Sequence, residues 1–184
     1  MRLLFVFVFL ILSNSSISYY KNIDNNKNLH NLIKDKTATK TQRLFFIERN
    51  MDKNIVVYDA NILANGKINV ENPVDVYWVQ LAKDGSRSEL NFIERKIAYG
   101  YNFEPSALGS VYVTIKAFTK RKILLLPDSK GNVKPIIKIS NIDAHLTRIY
   151  VNAKPKLYTT VNYIELFGTD VRNGKPVYEK ILNN

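Results

Sequence analysis

The stretch IVVYDANILANGKINV, residues 55–70, decides the fold class. Asn65-Gly66 stands between two runs rich in Val and Ile. That dipeptide between such flanks predicts a β-hairpin, because both residues of a tight two-residue turn need positive φ. Upstream, RLFFIER (43–49) reads as a strand and NMDKN (50–54) as a turn. Downstream, PVDVYWVQLA (73–82) alternates and ends in the turn Lys83-Asp84-Gly85-Ser86. Alternation places Trp78 on the face of Val74 and Val76, opposite Tyr77 and Val79.

The same punctuation continues to the end of the chain. GSVYVTIKAF (109–118), KILLL (122–126), VKPIIKI (133–139), HLTRIYVN (145–152), TVNYIELFG (160–168) and PVYEKIL (176–182) are separated by short turns. Pro135 lacks an N–H, so its strand must be an edge or carry a bulge there. About nine or ten such runs at regular spacing point to a mainly β fold, an antiparallel sandwich or a partly open barrel.

One segment breaks the pattern. Ser86 with Glu89 matches a capping box, and Leu90, Ile93, Ile97 and Tyr101 recur at helical spacing. This predicts one packed α-helix over about residues 87–99, with those four side chains on its buried stripe and Phe92 and Tyr99 on the other side. The tetrapeptide Phe-Ile-Glu-Arg occurs at 46–49 and again at 92–95. The flanks differ, so the first copy reads as strand and the second as helix. The repeat therefore raises a contact question, whether Arg49 meets Glu94 across the core, rather than a duplication.

The first 18 residues, MRLLFVFVFLILSNSSIS, follow a signal-peptide plan: Arg2, a run of ten apolar residues from Leu3 to Leu12, then small residues at Ser16 and Ser18. Ten residues of helix span about 15 Å, half of the roughly 30 Å hydrocarbon core. Residues 19–42 are rich in Asn, Lys and Thr and read as a flexible polar leader. Residues 43–184 then form a single domain. The expected location is the periplasm, cell envelope or exterior, with no membrane-spanning segment after signal removal and a monomeric state. The chain has no cysteine, which excludes disulfides, thiolate metal sites and a thiol nucleophile.

The formal charge is +11, spread along the chain, with the densest run at Lys120-Arg121-Lys122 in a hairpin tip. Such a spread does not point to specific nucleic-acid recognition. Glycine-rich phosphate loops, EF-type calcium loops and nucleophile elbows are missing, so no cofactor or metal is expected and no catalytic residue is assigned. His30 lies in the leader. His145 lies two residues after Asp143 on a predicted strand, in the relation of a base to its orienter.

The candidate binding residues are Arg49, Trp78, Glu94, Arg95 and Tyr99. Trp78 is the only tryptophan. Aromatic side chains on strands suit sugars and apolar ligands, and they also suit cores. Glu94 falls at the margin of the helix's buried stripe. A carboxylate there requires a partner, for which Arg49 and Arg148 are candidates.

The blocks LFFIERNMDKNIVVYDAN, PVDVYWVQLAKDGSRSELNFIERKIAYGY, LTRIYV and VNYIELFGTDVRNGKPVYEKI occur in an order that resembles the bacterial family known as domain of unknown function 4833. The resemblance covers about residues 43–182. It implies an exported or envelope-associated protein and carries no activity or catalytic residue with it. The function expected from the whole sequence is an exported, non-catalytic binding or interaction domain for a small molecule, glycan or protein. The alternatives are a hydrolase using carboxylates such as Glu48 and Glu94, or a basic surface docking on anionic lipid or glycan.

Overall fold

A computed structural model describes residues 39–154 and 160–183. The signal-like segment, His30 and most of the polar leader lie outside the described residues. Eleven strands build one sheet: β1 (Thr39–Arg49), β2 (Asp52–Leu63), β3 (Val74–Val79), β4 (Arg87–Glu89), β5 (Tyr101–Pro105), β6 (Val111–Ile115), β7 (Phe118–Pro127), β8 (Val133–Ile139), β9 (Ile142–Lys154), β10 (Thr160–Asp170) and β11 (Pro176–Leu182). The fold is mainly β, as the strand spacing predicts, and the sheet curls into a half-barrel. β1 begins at Thr39, four residues before the predicted start at Arg43.

Alternating side chains fill the inside of the curl. In β6, Val111, Val113 and Ile115 are buried while Tyr112 faces out. In β8, Val133, Pro135, Ile137 and Ile139 point in and Lys134 and Lys138 point out. β1 to β3 contribute Phe45, Ile47, Val56, Tyr58, Val74 and Val76 to the same core. A period of two is thus enough to close a hydrophobic interior once the sheet bends.

The bend comes from bulges and from a branch in the sheet. Leu44 is an extra residue between the pairs Arg43–Asp59 and Phe45–Tyr58. Thr147 is extra between Leu146, opposite Gly168, and Arg148, opposite Phe167. Each bulge increases local twist and shifts which residues face in. β9 pairs along its length with β10. Along its other side it pairs first with β8, through Ile142–His145, and then in parallel with β1, through Arg148–Val151.

Where β8 and β1 diverge, a side chain replaces the ladder. The Gln42 amide donates to Val133 O at 3.0 Å and accepts from Val133 N at 2.9 Å. Pro135 faces this gap on the same strand side as Val133, so its missing N–H leaves no partner unmet. β8 is nevertheless an inner strand, between β7 and β9, and carries no bulge at Pro135, so the expectation of an edge or a bulge is not met; the proline is accommodated because it stands one residue beyond the β8–β9 ladder, which starts at Ile136. A second seam lies between β3 and β5, where the Tyr101 hydroxyl donates to Val74 O at 2.7 Å and accepts from Val74 N at 3.2 Å.

Two local readings change. The Asn65-Gly66 hairpin uses a three-residue loop: Gly66 N donates to Leu63 O, Leu63 N donates to Lys67 O, and among the loop residues only Gly66 has positive φ, at 77°. That is a type I turn followed by a left-handed glycine, which Asn at the middle position suits equally well. The helix over 87–99 is not formed as such. Residues Arg87–Glu89 are strand β4, hydrogen-bonded to β3, and the helical part is a π-turn at Glu94–Ala98.

Candidate functional site

The helical spacing of Leu90, Ile93, Ile97 and Tyr101 predicts a buried stripe. In the structure Leu90 is buried and Tyr101 half-buried, but Ile93 and Ile97 are each 64% exposed and Phe92 is 76% exposed. The cause is the cap. Asn91, not Ser86, starts the turn. Glu94 N donates to Asn91 Oδ1 at 2.9 Å, and Asn91 N donates to Glu94 Oε2 at 2.9 Å. This is a reciprocal capping box displaced five residues downstream, with Asn in place of Ser. The frame of the turn changes with it. Tyr99 N closes an i→i+5 bond on Glu94 O at 2.8 Å, and the wide turn rotates Ile93 and Ile97 outward.

Gly100 ends this turn for a steric reason. A Cβ there would lie 1.8 Å from Arg95 O. The chain then passes into β5, with Ala117 N donating to Ala98 O at 3.0 Å and Lys116 N to Gly100 O at 2.8 Å.

The turn is held to the barrel by aromatic and polar contacts. Trp78 lies on the inner side of β3 with Val74 and Val76, as alternation predicts, and packs partly against the core. Its indole N–H donates to Glu94 Oε2 at 3.2 Å. Tyr99 meets the Trp78 ring edge-on at 5.3 Å between centroids. Tyr58, buried in the core, donates its hydroxyl proton to Tyr99 O at 2.6 Å. Burial raises the pKa of both phenols; for Tyr99 the nearby Arg49 opposes that shift and Glu94 adds to it. Both therefore stay protonated at neutral pH, and Tyr58 keeps its proton for the bond to Tyr99 O.

Arg49 completes the cluster. Its guanidinium carbon lies 5.2 Å from the Trp78 ring centroid and 5.6 Å from that of Tyr99, and Nη2 donates to Asp52 at 2.8 Å. Its Nε is buried and finds no hydrogen-bond partner. The contact question about the two Phe-Ile-Glu-Arg copies thus has an indirect answer. Arg49 and Glu94 form no ion pair among the described residues; Trp78 stands between them, touching one with its face and the other with its N–H. Arg148, the other candidate partner for Glu94, instead pairs with Glu48 at 3.1 Å.

Arg95, the fifth candidate, points elsewhere. It pairs with Glu89 at 2.6 Å, and Arg87 joins Glu89 to Asp75 on the outer face of β3 and β4. The structure therefore brings Arg49, Trp78, Glu94 and Tyr99 together and leaves Arg95 at the border. Sequence reasoning places Phe92 on the outer side, as found, but buries Ile93 and Ile97 and so misses the exposed group the three make. The signal available was Asn91 three residues before Glu94, a second capping box in competition with the first.

The other candidate chemistry is dispersed. Glu48 and Glu94 have separate partners on separate elements. Asp143 pairs with Lys138 at 2.9 Å, and His145 Nδ1 is buried without a partner. Among the described residues no group of three or more His, Asp or Glu side chains could hold a metal ion, and no helix is long and apolar enough to cross a membrane.

Comparison with known proteins gives one family. The model described as Domain of unknown function (DUF4833) matches residues 45–180, which runs from within β1 through most of β11 and includes the whole π-turn cluster. No curated protein and no solved structure matches the chain.

Proposed function

We propose, for a chain that belongs to the family described as Domain of unknown function (DUF4833), an exported, non-catalytic interaction domain of the cell envelope whose contact surface is the turn from Asn91 to Tyr99. The observation that carries this reading is an apolar group left in solvent on a rigidly held turn. Phe92, Ile93 and Ile97 are exposed while Glu94, Trp78, Arg49 and Tyr99 hold the backbone beneath them. Exposed large apolar side chains scattered singly are ordinary, but a cluster on one anchored turn marks a contact surface. The anchoring residues then have a positioning role, and Arg95 borders the surface.

Export rests on the Arg2 and Leu3–Leu12 pattern at the start of the chain. Two measurements test the reading. Fractionation of cells making the full chain should find it outside the cytoplasm. A photo-crosslinking residue placed at Ile93 should capture a contact in those cells, and the same residue at Tyr112, on the outer face of β6, should capture less. Cytoplasmic retention, or equal labelling at both positions, would overturn it.

A further inference from the structure

We infer that the partner of this turn is an anionic lipid surface, on which the end of the barrel carrying the turn docks. The inference rests on the reading of Asn91–Tyr99 as a contact surface and names what it contacts.

The first argument is geometric. β1 ends, β2 begins, β3 ends and β4 begins at one end of the half-barrel, because Arg49 pairs with Asp52, Ile55 with Val79 and Val79 with Arg87. The π-turn is tied to this end by Trp78 and to the β6–β7 hairpin by Ala117. Met51 and Leu81, in the two hairpin tips there, are 48% and 55% exposed. The apolar side chains at this end thus project from separate loop tips around the turn. A protein groove needs a continuous surface, and a standard interface uses roughly 800 Å² per partner. A single turn flanked by loop tips suits insertion among lipid headgroups instead, where each side chain is buried independently.

The second argument is charge. Lys53, Lys96 and Lys120 are exposed near these loops and make no salt bridge among the described residues. Of the acids nearby, Asp52 faces Arg49, Glu94 is turned inward to Trp78 and Asn91, and the exposed Asp84 accepts the Ser86 N–H at 2.9 Å. Lys96 Nζ lies 5.7 Å from the Phe92 ring centroid. A lysine next to an exposed aromatic is disfavoured at the centre of a protein interface, which is depleted in lysine. At a membrane it is favourable, because the stem lies along the apolar side chains while the ammonium reaches phosphate. The formal charge of +11 adds long-range attraction to a negative surface.

The single tryptophan gives a local reporter. Trp78 hydrogen-bonds the turn itself, so quenching of its fluorescence by vesicles with brominated acyl chains reads docking of this end and not of the apolar N-terminal segment. With the full chain, vesicles of phosphatidylcholine plus phosphatidylglycerol should quench Trp78. Phosphatidylcholine alone should quench much less, and added salt should weaken the effect. The double substitution Phe92→Ser with Ile97→Ser should lower partitioning more than about tenfold. Lys96→Glu should lower it about fivefold or more. Circular dichroism and urea titration confirm that each variant is folded, and exposed sites such as these tolerate substitution. No quenching by anionic vesicles, or quenching unchanged in the double variant, overturns the inference. If quenching is absent and the crosslinker at Ile93 captures a protein, the lipid partner is wrong and the contact surface stands. If neither is seen, both fall.

Discussion

The Trp78 indole N–H in β3 and the Glu94 carboxylate on the π-turn are 3.2 Å apart, and this bond joins the second Phe-Ile-Glu-Arg to the strand beneath it. The same carboxylate oxygen accepts the Asn91 N–H. One side chain therefore closes the capping box and docks the turn on the barrel. Glu94→Ala loses both and leaves a half-buried indole donor without its partner. The expected loss is about 1–2 kcal/mol in urea unfolding, with Glu94→Gln losing less because an acceptor remains. Native-state fluorescence of Trp78 should shift to the red in the alanine variant as the turn lifts.

The strands were legible because their signal is a period of two interrupted by turns, and burial follows that period in β6 and β8 almost residue by residue. The turn departs from the expected helix because two capping boxes compete within nine residues, Ser86 with Glu89 and Asn91 with Glu94. Spacing could not choose between them. Tertiary contacts did: Arg87–Glu89 pairs with β3, which removes the first box. The candidate residues Arg49, Trp78, Glu94 and Tyr99 could be picked as aromatic and charged oddities, but their meeting depends on the curl of the sheet. That curl comes from the bulges at Leu44 and Thr147, which alternation conceals.

The seam between β3 and β5 rests on the Tyr101 hydroxyl, which bonds both backbone groups of Val74 and has a second acceptor for its one proton in Asn72 Oδ1 at 3.0 Å. Tyr101→Phe keeps the ring and removes those bonds. The expected cost is about 1–2 kcal/mol, since it leaves a backbone N–H unpaired beside the core. Hydrogen exchange at the Val74 amide should quicken more than exchange at Val57, which lies inside the β1–β2–β3 ladder.

Gly100 and Gly168 should be intolerant for different reasons. At Gly100 a Cβ would overlap Arg95 O at 1.8 Å, and that oxygen belongs to the turn itself. Gly100→Ala should therefore open the π-turn while leaving the barrel folded, seen as altered Trp78 fluorescence with a modest drop in melting temperature. At Gly168, in β10, a Cβ would lie 2.5 Å from His145 O and 2.9 Å from Ile139 Cδ1. The clash is with a neighbouring strand at the Thr147 bulge. Gly168→Ala should cost about 1–3 kcal/mol of global stability, with Trp78 fluorescence of the native state unchanged.

His145 gives the fold a step in its pH dependence. Burial, and secondarily the Lys134 charge, hold its pKa below the ordinary value of about 6.5. Its Nδ1 is buried without a partner, so a proton added there would find no acceptor. The unfolded chain binds that proton near pH 6.5 and the folded chain resists it. Between the lowered pKa and about 6.5 the unfolded state holds more protons, so stability rises with pH through this window and is flat above it. The depressed carboxylates, Glu179 held down by Arg121 and Asp170 and Asp128 by backbone N–H groups, act lower, as pH falls below the usual carboxylate range. The two windows therefore separate. The urea midpoint should be lower at pH about 5.5 than at about 7.5, and His145→Gln should flatten that difference while leaving the steeper loss at lower pH. An unchanged slope in the variant would assign the step to another group.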